Sequence, residues 1–304
     1  MDVVVVGSIH RDLVLEVGHH PADGETILAI AATHVGGGKG ANQAVAAARL
    51  GARVTLVGRI GDDPEGRAVR ADLAADGIGL EGLIVDPEAP TGIAVVTVDR
   101  SGENRIMVAP GASGRLSATD VAARRDVIGA AAVVALQQEV PVDTVLAAAQ
   151  AATGIVQLDP APARPVDDEL LALVGLLVPN SVELAQLAPG EGTLEERAER
   201  LRTRLGRPPG AVVVTLGAEG ALIVDAHGPR RIAAPQVTAR DTTAAGDAFR
   251  GALATELAEG SSLDLAVGVA VRAGAAAASV LGAQPSLPRR SQLPPPSDEA
   301  EPRG

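Results

Sequence analysis

Val3-Val4-Val5-Val6 is a run of four β-branched residues closed by Gly7. A strand that is apolar at every position has to be covered on both faces, so the run predicts a strand inside a parallel sheet. The same signal returns at 54–57, 133–136, 155–158, 176–178, 212–216 and 222–224. Between many of these runs lie segments with helical spacing of apolar residues: 41–50, 65–76, 118–128, 142–152, 194–205 and 248–259. Strands alternating with helices of this length build βαβ units. The expected fold is therefore α/β, a doubly wound and mostly parallel sheet with helices on both faces.

Two stretches interrupt the alternation. Residues 13–17 with 26–33, and 92–99 with 105–109, have hairpin spacing, the second pair joined by the turn Arg100-Ser101-Gly102-Glu103-Asn104. They predict a small sheet over about 11–34 and 91–110, a β lid or dimer surface, the other reading being extra edge strands of the main sheet. The 304 residues contain no internal repeat, and the expected organisation is one domain over 1–287. The tail, 288–304, is rich in Pro, Ser and charge, which predicts disorder.

Composition removes several function classes. With 38 acidic and 26 basic residues the formal charge is −12, which argues against nucleic acid and anionic membranes as partners but leaves room for a locally positive small-anion site. One Phe, with no Tyr and no Trp, leaves no rings for a base-stacking platform. The absence of Cys excludes disulfides, thiolate catalysis and Cys-ligated zinc, and fits a reducing cytoplasm. The N-terminus lacks the basic flank of a signal peptide, and the blandest stretch, 273–283, is well short of a membrane span. The expectation is a soluble cytoplasmic protein.

Four constellations offer chemistry. Gly36-Gly37-Gly38-Lys39-Gly40-Ala41-Asn42 precedes a helical pattern, where small residues let a backbone approach a ligand and a helix start offers free amides. It is not a Walker A loop, since Gly40 follows Lys39 and the earlier required glycine is Thr33. Nor is Gly7-Ser8-Ile9-His10 a dinucleotide fingerprint, and the glycine run is equally readable as a plain loop. Asp241-Thr242-Thr243-Ala244-Ala245-Gly246-Asp247 opens another helix. Bare amides at Ala244, Ala245 and Gly246 would make an anion hole, with Asp247 beside it as a base for a hydroxyl or simply as a capping acid. Asn180 and Glu183 follow the 176–178 strand and suit hydrated Mg²⁺ or a helix cap. Thr215-Leu216-Gly217-Ala218-Glu219-Gly220 reads alone as a tight turn. His19, His20, His34 and His227 lack metal-ligand spacing.

In order and spacing these four segments, with Phe249 and Gly251, Pro160-Ala161-Pro162-Ala163 and Gly282-Ala283-Gln284-Pro285-Ser286, resemble the ribokinase-like (PfkB) carbohydrate kinases over roughly 3–286. The resemblance implies transfer of the γ-phosphoryl group of ATP to the primary hydroxyl of a furanose, with D-ribose expected. It implies Asp247 as base, with Ala244, Ala245 and Gly246 as the anion hole. His10, Asp12, Gly38, Lys39, Asn42 and Glu139, with Asp247, would hold the sugar. Asn180, Thr215, Gly217, Gly220 and Gly246 would hold the nucleotide, and Glu183 would organise Mg²⁺ through water. A K⁺ ion would sit among Asp241, Thr243, Ala277 (or Ala278), Val280, Gly282 and Ser286. The lid would pair two chains.

Two residues depart from the family's pattern. His10 stands where Asn is usual, and either contacts sugar or is a tolerated lid residue. Arg250 also replaces Asn, and either faces solvent or alters the field at Asp247. The alternatives are another acceptor (deoxyribose, fructose, a nucleoside or pseudouridine) on the same fold, or a non-catalytic sugar- or nucleotide-binding sensor.

Overall fold

The opening valine run lies between two parallel neighbours: Val3 is in register with Val54 on one side and Val133 on the other. The computed structural model describes residues 2–100 and 104–295. Its regular elements, in chain order, begin with β1 (Asp2–Val6), β2 (His10–Glu16), β3 (Ala31–Gly37), α1 (Lys39–Arg49), β4 (Arg53–Gly61), α2 (Pro64–Ala75), β5 (Leu83–Asp86), β6 (Ile93–Val98) and β7 (Asn104–Ala109). They continue with α3 (Ala118–Ala122), α4 (Arg125–Ala130), β8 (Val133–Gln137), α5 (Val142–Ala151), β9 (Ile155–Asp159), α6 (Asp168–Leu171), β10 (Leu176–Leu177), α7 (Ser181–Leu187) and α8 (Leu194–Arg202). The last are β11 (Ala211–Thr215), β12 (Ala221–Asp225), β13 (Gly228–Ile232), α9 (Ala245–Ala258) and α10 (Leu263–Ala278).

Nine strands form the main sheet in the order β13-β12-β11-β10-β9-β8-β1-β4-β5. All neighbours are parallel except β11 with β12 and β12 with β13, so the sheet is mostly parallel as the sequence predicts. The alternation along β1 divides the core. Val3 and Val5 face the layer of α1, α2, α9 and α10, while Val4 and Val6 face the layer of α3 to α8. Because successive strands add on both sides of β1, the sheet has a switch in winding direction there. Crevices outside the carboxyl ends of strands at such a point are where open α/β sheets bind ligands.

The smaller sheet runs β3-β2-β6-β7. β2 pairs antiparallel with β3 and parallel with β6, and β7 closes the sheet antiparallel to β6. It is a separate layer, not a set of main-sheet edge strands. The strand expected at 26–33 lies at Ala31–Gly37 instead, so two of the three glycines belong to the ladder: Gly37 pairs with His10 and Gly36 with Arg11. Glycine is needed at 37 because a Cβ there would lie 2.0 Å from an Asp12 carboxylate oxygen. Of the expected 100–104 turn, residues 101–103 lie outside the described residues.

Other boundaries moved for local reasons. The helix expected over 118–128 is two short helices, the first held by a capping box between Ser117 and Asp120, broken at Arg124. The bland alanine stretch continues a full helix, α10, N-capped by Ser262. The tail expected from 288 is held as far as 294: Arg290 donates to the Leu50 carbonyl and pairs with Glu256, and Arg272 donates to the Pro294 carbonyl. The remainder, 296–304, lies outside the described residues. Among the described residues no helix is long and apolar enough to cross a membrane.

Candidate active site

The carboxyl ends of β1, β8, β9, β10 and β11 deliver Ser8, Glu139, Asp159, Asn180 and Thr215 to one edge of the main sheet. The lid strand β3 runs into this edge and turns at Gly38, whose φ of 86° is a left-handed conformation that glycine adopts without a Cβ clash. Glu139 fixes the start of α1: one of its oxygens accepts from the Lys39 amide at 2.9 Å and also from the Ser8 hydroxyl. A carboxylate at a helix N-terminus also complements the macrodipole.

His10 and Asp12, on β2, are buried next to this start, and Asn42 lies one turn into α1. His10 Nε2, Asp12 Oδ1 and Asn42 Oδ1 have no hydrogen-bond partner among the described residues. Burial lowers the His10 pKa, against a smaller opposing pull from Glu139, and keeps the ring neutral. Burial pushes the Asp12 carboxyl up to about 7, with Glu139 and Asp247 adding to the rise against a backbone hydrogen bond from Ala94.

Asp247 sits in the first turn of α9, 5% exposed, with both oxygens held by α1: Asn42 Nδ2 donates to Oδ2 at 3.0 Å and Gln43 Nε2 to Oδ1 at 3.2 Å. The same Gln43 nitrogen donates to Asp159 Oδ2 at 2.9 Å. Asp159 also meets Arg250 at 3.0 Å and the Lys39 ammonium at 3.9 Å. Burial raises the Asp159 carboxyl to about 6, Arg250 and Lys39 opposing it. For Lys39, burial pulls downward but Asp247 and Asp159 outweigh it, so its pKa stands above the ordinary value and the ammonium stays charged.

The α9 N-terminus is bare. Ala244 is its cap residue, and with φ 59° it is the only described non-glycine residue in the left-handed region. Such a conformation costs on the order of 1 kcal/mol and persists where surrounding structure enforces it. The first internal bond runs from the Ala248 amide to the Ala244 carbonyl, which leaves Gly246 and Asp247 ahead of the helix's own ladder. The Ala245 amide, by contrast, donates to the Thr242 carbonyl at 3.2 Å.

Across the crevice Asn180 and Glu183 cap α7 reciprocally, each side chain accepting from the other's backbone amide at 2.8 Å. Thr215 bridges to Asn180, and Gly217 and Gly220 both have positive φ in the turn that follows β11. Asp241 joins two segments, accepting from the Thr243 amide at 2.9 Å and the Gly282 amide at 2.8 Å. The carbonyl of Ala278 accepts from the amides of Arg240 and Asp241, that of Ala277 accepts from Val280, and the Ser286 hydroxyl donates to Ala283.

A pfkB family carbohydrate kinase model matches residues 1–290. The chain belongs to that family. It is 37% identical over 295 residues to a ribokinase of Haemophilus influenzae, covering 95% of this chain and 96% of that one. The crystal structure of a ribokinase from Thermotoga maritima superimposes with a TM-score of 0.87 at 36% identity, over 95% of this chain and 97% of the other. An Arabidopsis thaliana ribokinase solved with ribose and ATP gives 0.84 at 31%, over 95% and 96%. This pfkB-family kinase is thus a sugar kinase on a fold matched over nearly its full length.

In this kinase the residues expected from sequence fall into three adjoining groups. His10, Asp12, Gly38, Lys39, Asn42, Glu139 and Asp247 gather at the lid side, Asn180, Glu183, Thr215, Gly217 and Gly220 gather at the ends of β10 and β11, and Asp241 ties 241–243 to Gly282. Arg250 does not face solvent: it is 4% exposed, with its guanidinium on Asp159, Glu183 and the Val178 carbonyl. Sequence reading missed Asp159, Gln43 and Gln137 as a unit, although a polar residue ending an apolar strand (Gln137 on β8, Asp159 on β9) is a signal that points to the ligand edge.

Proposed function

We propose that this kinase transfers the γ-phosphoryl group of ATP to the 5-hydroxyl of D-ribose, giving D-ribose 5-phosphate and ADP. The observation that carries the reading is the set of buried unpartnered atoms, His10 Nε2, Asp12 Oδ1 and Asn42 Oδ1, next to Asp247. Buried polar atoms without partners are costly, and a polyhydroxyl ligand supplies both donors and acceptors for them. Near-full-length similarity to ribokinases, one of them solved with ribose and ATP, supports the choice of sugar.

Asp247 accepts the proton of the primary hydroxyl as its oxygen forms a bond to the γ-phosphorus, and the bond from phosphorus to the β–γ bridging oxygen breaks, releasing ADP. The backbone at Ala244 and Gly246 faces the charge on the transferring group, whereas the Ala245 amide, expected in the same role, is taken by the Thr242 carbonyl, and Lys39 adds a fixed ammonium nearby. Closure of the lid excludes water, which would otherwise compete as acceptor. Asn180, Thr215, Gly217 and Gly220 contact the nucleotide.

Mg²⁺ keeps most of its waters and binds through phosphates and one or two carboxylates, so hard oxygens at Asn180 and Glu183 fit it; bound, it would neutralise phosphate charge. K⁺ fits the other group, because the last carbonyls of α10 carry partial negative charge and Asp241, Thr243, Ala277, Val280, Gly282 and Ser286 offer only oxygen donors. The lid carries exposed Ile30, Ile106, Met107 and Val108, which supports pairing of two chains through it. A monomer at micromolar concentration in light scattering would remove that pairing. The cytoplasm, where ATP is abundant and thiols are reduced, suits such an enzyme.

The test is ADP release with Mg-ATP across ribose, deoxyribose, fructose, adenosine and pseudouridine, each with and without K⁺. Fastest turnover on ribose with K⁺ stimulation is expected. Faster turnover on another acceptor would reassign the sugar, with His10 the residue to exchange, and ATP binding without turnover on any acceptor would leave a sensor.

A further inference from the structure

Arg250 and Asp159 are both buried, and together they connect the two halves of the site. Arg250 Nη2 lies 3.0 Å from Asp159 Oδ1 and 3.5 Å from Glu183 Oε2, and it donates to the Val178 carbonyl at 2.7 Å. Its own carbonyl accepts from Gln157 Nε2 at 3.0 Å, which holds the backbone that carries it. A Cβ built on Gly246 would come 2.6 Å from Arg250 Nη1, so the guanidinium lies directly behind the anion-hole backbone.

On the other side Asp159 shares the Gln43 amide with Asp247. Gln43 Nε2 has two hydrogens and two carboxylates to give them to. Gln43 Oε1 accepts from Gln137 Nε2 at 2.8 Å, so a flipped amide would set its oxygen against both carboxylates. The orientation is fixed, and Asp159 is the group that fixes it together with Asp247.

We propose that Asp159 and Arg250 are a positioning pair for phosphoryl transfer, aligning Asp247 through Gln43 on the acceptor side and Glu183 on the phosphate side. The proposal rests on the reading of Asp247 as the base. Stability alone does not account for the pair, because a buried ion pair is commonly no more stable than a well-packed neutral one of similar volume. Its reach does: one guanidinium touches strand end, helix cap and anion hole, where small displacements of reacting groups cost large factors in rate.

The test compares Arg250→Gln, Arg250→Lys and the double variant Asp159→Asn/Arg250→Gln, with Asp247→Asn alongside. Each is measured for thermal unfolding, kcat, and KM for ribose and for Mg-ATP. Arg250→Gln leaves the buried Asp159 with only the more distant Lys39 ammonium to offset it, so it loses stability or fails to fold, and the double variant, which removes both charges of the pair, recovers the stability. The expected result is that the double variant and Arg250→Lys fold but lose about tenfold or more in kcat, with ribose KM within about twofold of the parent. A double variant that regains stability and parental kcat together would overturn the proposal and leave the pair a packing element. Parental turnover in Asp247→Asn would instead remove the base reading, whatever the Arg250 variants do.

Discussion

On the lid side of the cleft, His10, Asp12 and Asn42 each end in a buried polar atom with no partner, whereas on the phosphate side Glu183, Asn180 and Asp241 are already bonded to backbone amides. One side leaves polar atoms open, which the proposed sugar would fill, and the other is assembled beforehand. The physics asks for this difference. A sugar brings donors and acceptors that can replace water, so acceptor groups can be left waiting at some cost to stability. Charge on a transferring phosphoryl group is stabilised best by dipoles that need no reorganisation at the moment of reaction. The Asp159–Arg250 bridge lies on the seam between the two halves.

The largest expected effect is at the seam's acceptor side. Asp247→Asn keeps a hydrogen-bonding partner for Asn42 but cannot take the hydroxyl proton, so kcat should fall at least ~100-fold, while ribose KM changes little. A large rise in KM with kcat preserved would mean that Asp247 binds sugar without acting as base.

Asp12 should give the next largest effect, and it tests directly whether the lid side is held at a cost. Its carboxyl stands at about 7 in the folded chain, against about 4 when unfolded. The folded form therefore retains a proton there that the unfolded chain releases. Relative stability is greatest below about 4, declines as pH rises, and stays diminished above about 7. Asp12→Asn removes that loss, so it should raise Tm at pH 8 and change it little at pH 4. On the proposed role of Asp12 in holding the sugar, its ionised form is the strong acceptor for hydroxyls, so kcat/KM for ribose should fall about tenfold per pH unit below about 7, a limb that Asp12→Asn abolishes along with most of the affinity. A flat kcat/KM profile in the parent would contradict this.

The same contrast explains what could be read from the chain. The fold was legible because Val3–Val6 and its repeats carry unbroken apolar runs, and burial on both sheet faces leaves no other reading. The glycines at 36 and 37 misled, since they look like loop and are strand; what demands them is the Asp12 carboxylate and the Gln284 amide packed where side chains would be, contacts made by distant residues. Asp247 was legible from its helix start, while its coupling to Asp159 through Gln43 was not. That coupling depends on where β9 ends relative to α1, and 116 residues separate the two side chains. Arg250 was equally hidden, because nothing local distinguishes a solvent-facing arginine from one on two carboxylates.

The smallest effect should come from the phosphate side and carry the opposite sign from Asp12. Asn180→Ala deletes the acceptor for the Glu183 amide and with it half of the capping box on α7. Loss of an N-cap costs about 1 kcal/mol, which for a chain of this length lowers Tm by about 2 °C. Glu183, no longer held in a closed cap, should bind the nucleotide side less well, so KM for Mg-ATP rises several-fold while ribose KM is unchanged. Differential scanning fluorimetry with an extrinsic dye suits both variants, since the chain has no Trp or Tyr to report. If Asp12→Asn and Asn180→Ala both lower Tm at pH 8, the two sides do not differ in preassembly. Opposite signs mean that the apo enzyme carries its cost on the side where the sugar binds.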